Sequence, residues 1–171
     1  MMDYQTAVRG AFFDIAGVAE TPDEVAAQAR YLDDGLLFLQ EGKIIALLPW
    51  HEGETFLHPL KGYVDLRGKL LLPGFVDAHV HYPQTEMIGA FGEQLLEWLT
   101  TYTFPVESQF ADAEYAQEIA QFFVNQLISH GTTTALVFCT LHPASVEALF
   151  SEALRLNMRL IAGKVMMDRH V

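Results

Sequence analysis

Pro73-Gly74-Phe75-Val76-Asp77-Ala78-His79-Val80-His81 places two imidazoles two residues apart at the end of an apolar run. In a strand, side chains alternate between faces and rise by about 3.3 Å per residue, so His79 and His81 share a side. Asp77 joins them by the same alternation, while Val76, Ala78 and Val80 take the other side. An apolar face of that kind suits a parallel strand covered by helices. The polar face carries three groups that are costly to bury unless something satisfies them, and a divalent metal would do so.

Downstream, strands alternate with long helices, the pattern of parallel βαβ units. Leu70 to His81 reads as the first strand of the series. Glu93 to Tyr102 is helical by the spacing of Leu95, Leu96, Trp98 and Leu99, with Pro105 as its terminator. Asp112 caps a longer helix that runs to His130, with Ile119, Phe122, Phe123, Leu127 and Ile128 on its apolar stripe and Gly131 as its stop. Thr132 to Phe138 is rich in β-branched residues and reads as a second strand. A helix over 144–156 and a third strand over 159–167 follow.

Upstream, the chain reads as short strands joined by turns. Ala7 to Ile15 is one, and residues 35–39 and 43–47 flank Glu41-Gly42 as a hairpin. Tyr63 to Leu66 is a fourth short strand. Thr21 to Tyr31 has a helix start, with Thr21 as cap, Pro22 in the first turn, and Asp23 and Glu24 at the positive end of the dipole. This part is expected to be a small β domain over residues 1–69, with the βα series over 70–171.

The chain of 171 residues is 51% hydrophobic, enough for a sizeable core. Twenty-two acidic against ten basic residues give a formal charge of -12, which argues against a nucleic-acid or anionic-membrane partner and favours a small neutral substrate. No apolar run approaches the roughly 20 residues that cross a bilayer, and the expectation is a soluble, cytoplasmic protein. The single cysteine, Cys139, lies in an apolar run and reads as a small buried side chain.

Further residues keep company with the two histidines. These are Tyr82-Pro83-Gln84, Leu95-Leu96-Glu97-Trp98-Leu99, Tyr102-Thr103-Phe104-Pro105 with Glu107, Gly131-Thr132-Thr133-Thr134-Ala135, and Gly163-Lys164-Val165-Met166-Met167-Asp168. In this order and spacing the chain resembles the metal-dependent amidohydrolase superfamily and, within it, the guanine deaminase family. The resemblance implies an α/β fold, a partial (β/α)8 TIM-type barrel of about three βα units preceded by part of a small β-sandwich domain. It also implies hydrolysis of guanine to xanthine and ammonia at a site with one zinc ion, and a homodimer at full length. Under it His79 and His81 are metal ligands, and His81 and Gln84 bind substrate. The His-x-Glu and Pro-Cys-x-x-Cys signature of the small nucleobase deaminases is absent.

The family's remaining metal ligands, among them an aspartate, and its proton-shuttling glutamate come from later strands and have no matching position here. A complete barrel takes typically about 250 residues. The sequence is therefore expected to be the amino-terminal portion of an enzyme, inactive alone, with no catalytic acid or base of its own.

Each assignment has a plainer rival. His79 and His81 could be hydrogen-bonded core histidines, and Gln84 a solvated loop residue rather than an amide reading a purine edge. Asp77 either orients a histidine or serves the strand. His142 favours a local role beside Pro143, and Lys164 reads as too early in the third strand to reach a metal. Trp98 reads as core, and Phe104 as a possible border of the pocket. His51, His58 and His130 suit surface or helix-end roles, and His170 lies too close to the end to assign. Other readings are a cytosine, hydroxyatrazine or adenosine type of deaminase, or a shortened noncatalytic chain.

Overall fold

A computed structural model of the protein describes residues 2–92 and 94–168. The chain divides into two compact units, Met1–Pro73 and Gly74–Val171.

In the first unit, β1 (Thr6–Ile15), β2 (Ala29–Gln40), β3 (Lys43–Pro49) and β4 (Gly62–Leu71) form one sheet in the order β3-β2-β1-β4. The β2–β3 turn is Glu41-Gly42, both at positive φ (50° and 73°), the backbone that matches hairpin twist. Helix α1 (Pro22–Gln28) starts on Thr21, whose hydroxyl accepts from the Glu24 N–H. It stops three residues short of the expected Tyr31, because Ala29, Arg30 and Tyr31 pair with Ile15, Asp14 and Phe13 of β1. Arg30 clamps Asp14 with two charged hydrogen bonds across that pair.

A short helix α2 (Trp50–Gly53) and a 3-10 turn (Glu54–Phe56) lead into β4. The core is Tyr4, Ala7, Leu36 and Phe38. Arg9 lies 3.4 Å over the Trp50 ring and pairs with Asp34.

β4 runs parallel to β1 and continues through Leu70 and Leu71, which pair with Ala11 and Phe12. The expected strand over 70–81 is therefore two strands. Pro73 lacks an N–H for a ladder, and Gly74 passes so close to Thr133 that a Cβ there would lie 2.0 Å from the Thr133 hydroxyl.

The second unit holds β5 (Phe75–His81), β6 (Thr132–Phe138) and β7 (Arg159–Gly163), parallel and in that order. β7 ends four residues before the expected Met167, because its partner β6 stops at Phe138, opposite Gly163. Helix α5 (Ala113–Ser129) begins on Asp112, whose carboxylate accepts from the Glu114 and Tyr115 N–H groups, and ends before Gly131 at φ 86°. Ile119 and Phe123 are buried as expected, whereas Phe122 is 53% exposed; Ala116, Ala120 and Val124 complete the buried stripe. With α6 (Pro143–Arg155) this helix covers Ala135 and Val137 of β6 and Cys139 just beyond its end.

The segment between β5 and α5 departs most from expectation. It comprises a 3-10 turn (Tyr82–Met87), α3 (Leu95–Trp98), a π-turn (Leu99–Thr103), α4 (Phe104–Ser108) and a 3-10 turn (Gln109–Ala111). Leu95 and Leu96 are 69% and 77% exposed, so no buried apolar stripe forms there. Pro105 sits in the first turn of α4 rather than ending a helix. Glu93, the expected start, lies outside the described residues, as does His170. Among the described residues no helix is long and apolar enough to cross a membrane.

Candidate functional site

β5 ends where its two histidines meet. Their Nε2 atoms lie 3.2 Å apart, and Phe138, at the end of β6, packs against both rings. The Phe138 ring is stacked on His81 at 4.7 Å with planes 13° apart. Parallel register causes this, since His81 pairs with Phe138. Partial burial, reinforced by the neighbouring His79, holds the His81 imidazole below its ordinary value, so it is neutral at neutral pH. A neutral imidazole is the form that ligates metals.

The pattern of faces is less regular than alternation predicts. Between Asp77 and Val80, β5 carries one residue more than β6, a bulge. Asp77 does not reach a ring: its carboxylate accepts from the His79 backbone N–H at 3.0 Å, an Asx turn within the bulge. Of the expected apolar face, Val80 packs on the core but Val76 is 70% exposed, because β5 is an outer strand of the sheet.

Beyond the strand, Tyr82 fixes the 3-10 turn. Its ring is fully buried against Phe110 and Phe123, and its hydroxyl donates to the Ser145 carbonyl at 2.6 Å. That anchor sets Gln84 one turn past His81. The Gln84 Nε2 lies 3.5 Å from His81 Nδ1 and donates to the Glu107 carboxylate at 3.2 Å. Burial pushes the Glu107 carboxyl above its ordinary value, and the Gln84 donation partly offsets it. An open cavity of about 690 Å³ is lined by His79, His81, Gln84, Trp98, Phe122 and His130, among others. Trp98 borders it rather than the core, its indole N–H donating to the Ala90 carbonyl.

Glu107 and Phe138 are the two residues to which sequence reasoning gave no role. Helix α4 and the second strand carry them to the histidines, and no local spacing ties them to His79 or His81. Other candidates stand apart. His142 precedes α6, its N–H bonded to Thr140 Oγ1 and its carbonyl to Ser145. Lys164 follows the end of β7 directly, so its level in the strand does not exclude it as expected; its ammonium is exposed and donates to the Val165 carbonyl. Burial pushes the Cys139 thiol up to about 11, an unreactive side chain. His51 is exposed beside Glu52, His58 Nδ1 accepts from the Leu60 N–H, and His130 Nδ1 bonds the Gln126 carbonyl at the end of α5. Phe104 is half-buried at the start of α4.

The Amidohydrolase family pattern matches residues 70–170, more than half of the chain. The chain belongs to the amidohydrolase family. This amidohydrolase is 53% identical to guanine deaminase of Escherichia coli K12 over 164 residues, 96% of this chain and 37% of that protein. The solved structure of E. coli guanine deaminase superposes with a TM-score of 0.92 over 96% of this chain and 38% of that one. The crystal structure of guanine deaminase from C. acetobutylicum with bound guanine in the active site is 28% identical with a TM-score of 0.80, over 95% of this chain and 36% of that one. The chain thus spans a little over a third of the length of these relatives.

Two imidazole nitrogens 3.2 Å apart match the edge of a tetrahedron whose metal–nitrogen bonds are about 2.0 to 2.1 Å. Among the described residues no group of three or more His, Cys, Asp or Glu side chains comes together to hold a metal ion. The pair fits half of a tetrahedral zinc set.

Proposed function

We propose that the chain is the amino-terminal portion of a zinc-dependent guanine deaminase, hydrolysing guanine to xanthine and ammonia. The convergence of the two Nε2 atoms carries the reading, because two imidazoles held 3.2 Å apart invite a shared cation. In this reading residues 1–69 are part of a small β-sandwich domain, and residues 70–171 are the first three βα units of a (β/α)8 barrel. The strand ends are then the active face. The full-length protein is a cytoplasmic homodimer. No nucleic acid or membrane is a partner, in keeping with the charge of -12.

His79 and His81 hold the zinc, whose Lewis acidity, when bound, ionises water near neutral pH. Phe138, stacked on His81 and tilted against His79, packs on both rings and helps to hold their orientation. Gln84 and His81 bind and orient the base so that water replaces the amine at C2, the C–N bond breaks and ammonia leaves. Proton transfers fall to carboxylates from later strands.

Full-length protein, loaded with zinc, is expected to release ammonia from guanine and not from adenine or cytosine. His79→Ala or His81→Ala should lower both bound zinc, by elemental analysis, and turnover by at least about 100-fold. Ammonia from adenine or cytosine alone, or full zinc retention in both variants, would overturn the reading.

A further inference from the structure

The Gln84–Glu107 pair has a chemical asymmetry. An amide side chain offers a donor and an acceptor and can turn over by 180°, which would exchange them at any binding surface. An ionised carboxylate only accepts, so at 3.2 Å it admits the nitrogen and rejects the carbonyl. We propose that Glu107 is a positioning residue that locks the Gln84 amide. It holds Nε2 toward α4, leaving the Gln84 carbonyl oxygen as the acceptor for an N–H of the base.

The deaminase reading is the premise of this proposal. Three observations support it. Among the described residues the Gln84 carbonyl oxygen has no hydrogen-bond partner, and it is not a buried orphan atom. Gln84 lines the cavity together with both histidines. Glu107 is half-buried on an element preceded by a π-turn, where a desolvated carboxylate bonds more strongly than one in water. The consequence is specificity: a locked acceptor favours a purine with a lactam N–H over one with a bare ring nitrogen at that place.

The test uses the full-length zinc enzyme. Glu107→Gln, which can donate or accept, should raise KM for guanine about ten-fold while kcat and zinc content change less than two-fold. Glu107→Asp, which withdraws the carboxylate by one methylene, should do the same. In a Gln84→Ala background Glu107→Gln should have no further effect, since nothing remains to be oriented. Calorimetric binding of guanine to metal-stripped protein should weaken in parallel. Additive effects in the double variant, an unchanged KM, a loss confined to kcat, or failure of both Glu107 variants to fold would overturn the positioning role. A wild-type enzyme that does not turn over guanine would instead overturn the deaminase reading, which keeps the two failures apart.

Discussion

Glu152 shows how one side chain can tie stability to pH. It is 1% exposed, and both of its carboxylate oxygens accept from the Arg155 guanidinium, at 2.6 and 2.8 Å. That pairing holds its carboxyl below the ordinary 4.5. A carboxyl lowered on folding stabilises fully above its unfolded value, and the contribution fades as pH falls through the lowered value. Thermal unfolding of the wild-type protein should therefore lose Tm below about pH 4.5, and Glu152→Gln should start lower at pH 7 and lose less. Identical slopes in the two proteins would exclude the pair as the cause. At this scale the sequence was most informative where chemistry is local. His79, His81 and Gln84 lie within six residues, and strand spacing plus one turn bring them together. Glu107 comes from 23 residues further on and Phe138 from another strand, so their places depend on packing that no short-range spacing encodes.

Helix α5 illustrates the element scale. Its cap, length and stop were legible because Asp112 and Gly131 act locally, but the rotation of its buried stripe was not. Alanines at 116 and 120 let the sheet approach, which turns Val124 inward and Phe122 outward. Phe123→Ala should cost about 3–5 kcal/mol in chemical denaturation, and Phe122→Ala less than about 1 kcal/mol. Equal losses would mean that the stripe is placed wrongly. The segment before it, with α3, a π-turn and α4, was illegible for another reason. Leu95 and Leu96 fit the helical spacing yet face solvent, and periodicity cannot report burial that never occurs. The parallel pairing of β4 with β1 was likewise hidden, since alternation within a strand says nothing of its neighbour's direction.

For the molecule as a whole, the alternation of strands and helices pointed to an α/β chain, and both element types are present, in two compact units, Met1–Pro73 and Gly74–Val171. The three-stranded sheet has β5 and β7 as its outer strands, and Phe75, Val76 and Ile161 on them are exposed. Unpaired strand edges with apolar side chains are templates for association. The charge of -12 opposes this by repulsion, which salt screens over about 8–10 Å at ionic strengths near 0.1–0.15 M. Sedimentation of the 171-residue chain should show larger species that grow with both protein and salt concentration. A monomer at every salt concentration would show that the edges are protected.

Phe138 lying flat against His81 also gives this strand end a magnetic signature. Electrons circulating in the phenyl ring shield protons above its plane, so the imidazole hydrogens of His81 resonate upfield of those in a free histidine. The correct meeting of β5 and β6 is thereby written into one pair of carbon-bound nuclei, readable before any ligand arrives.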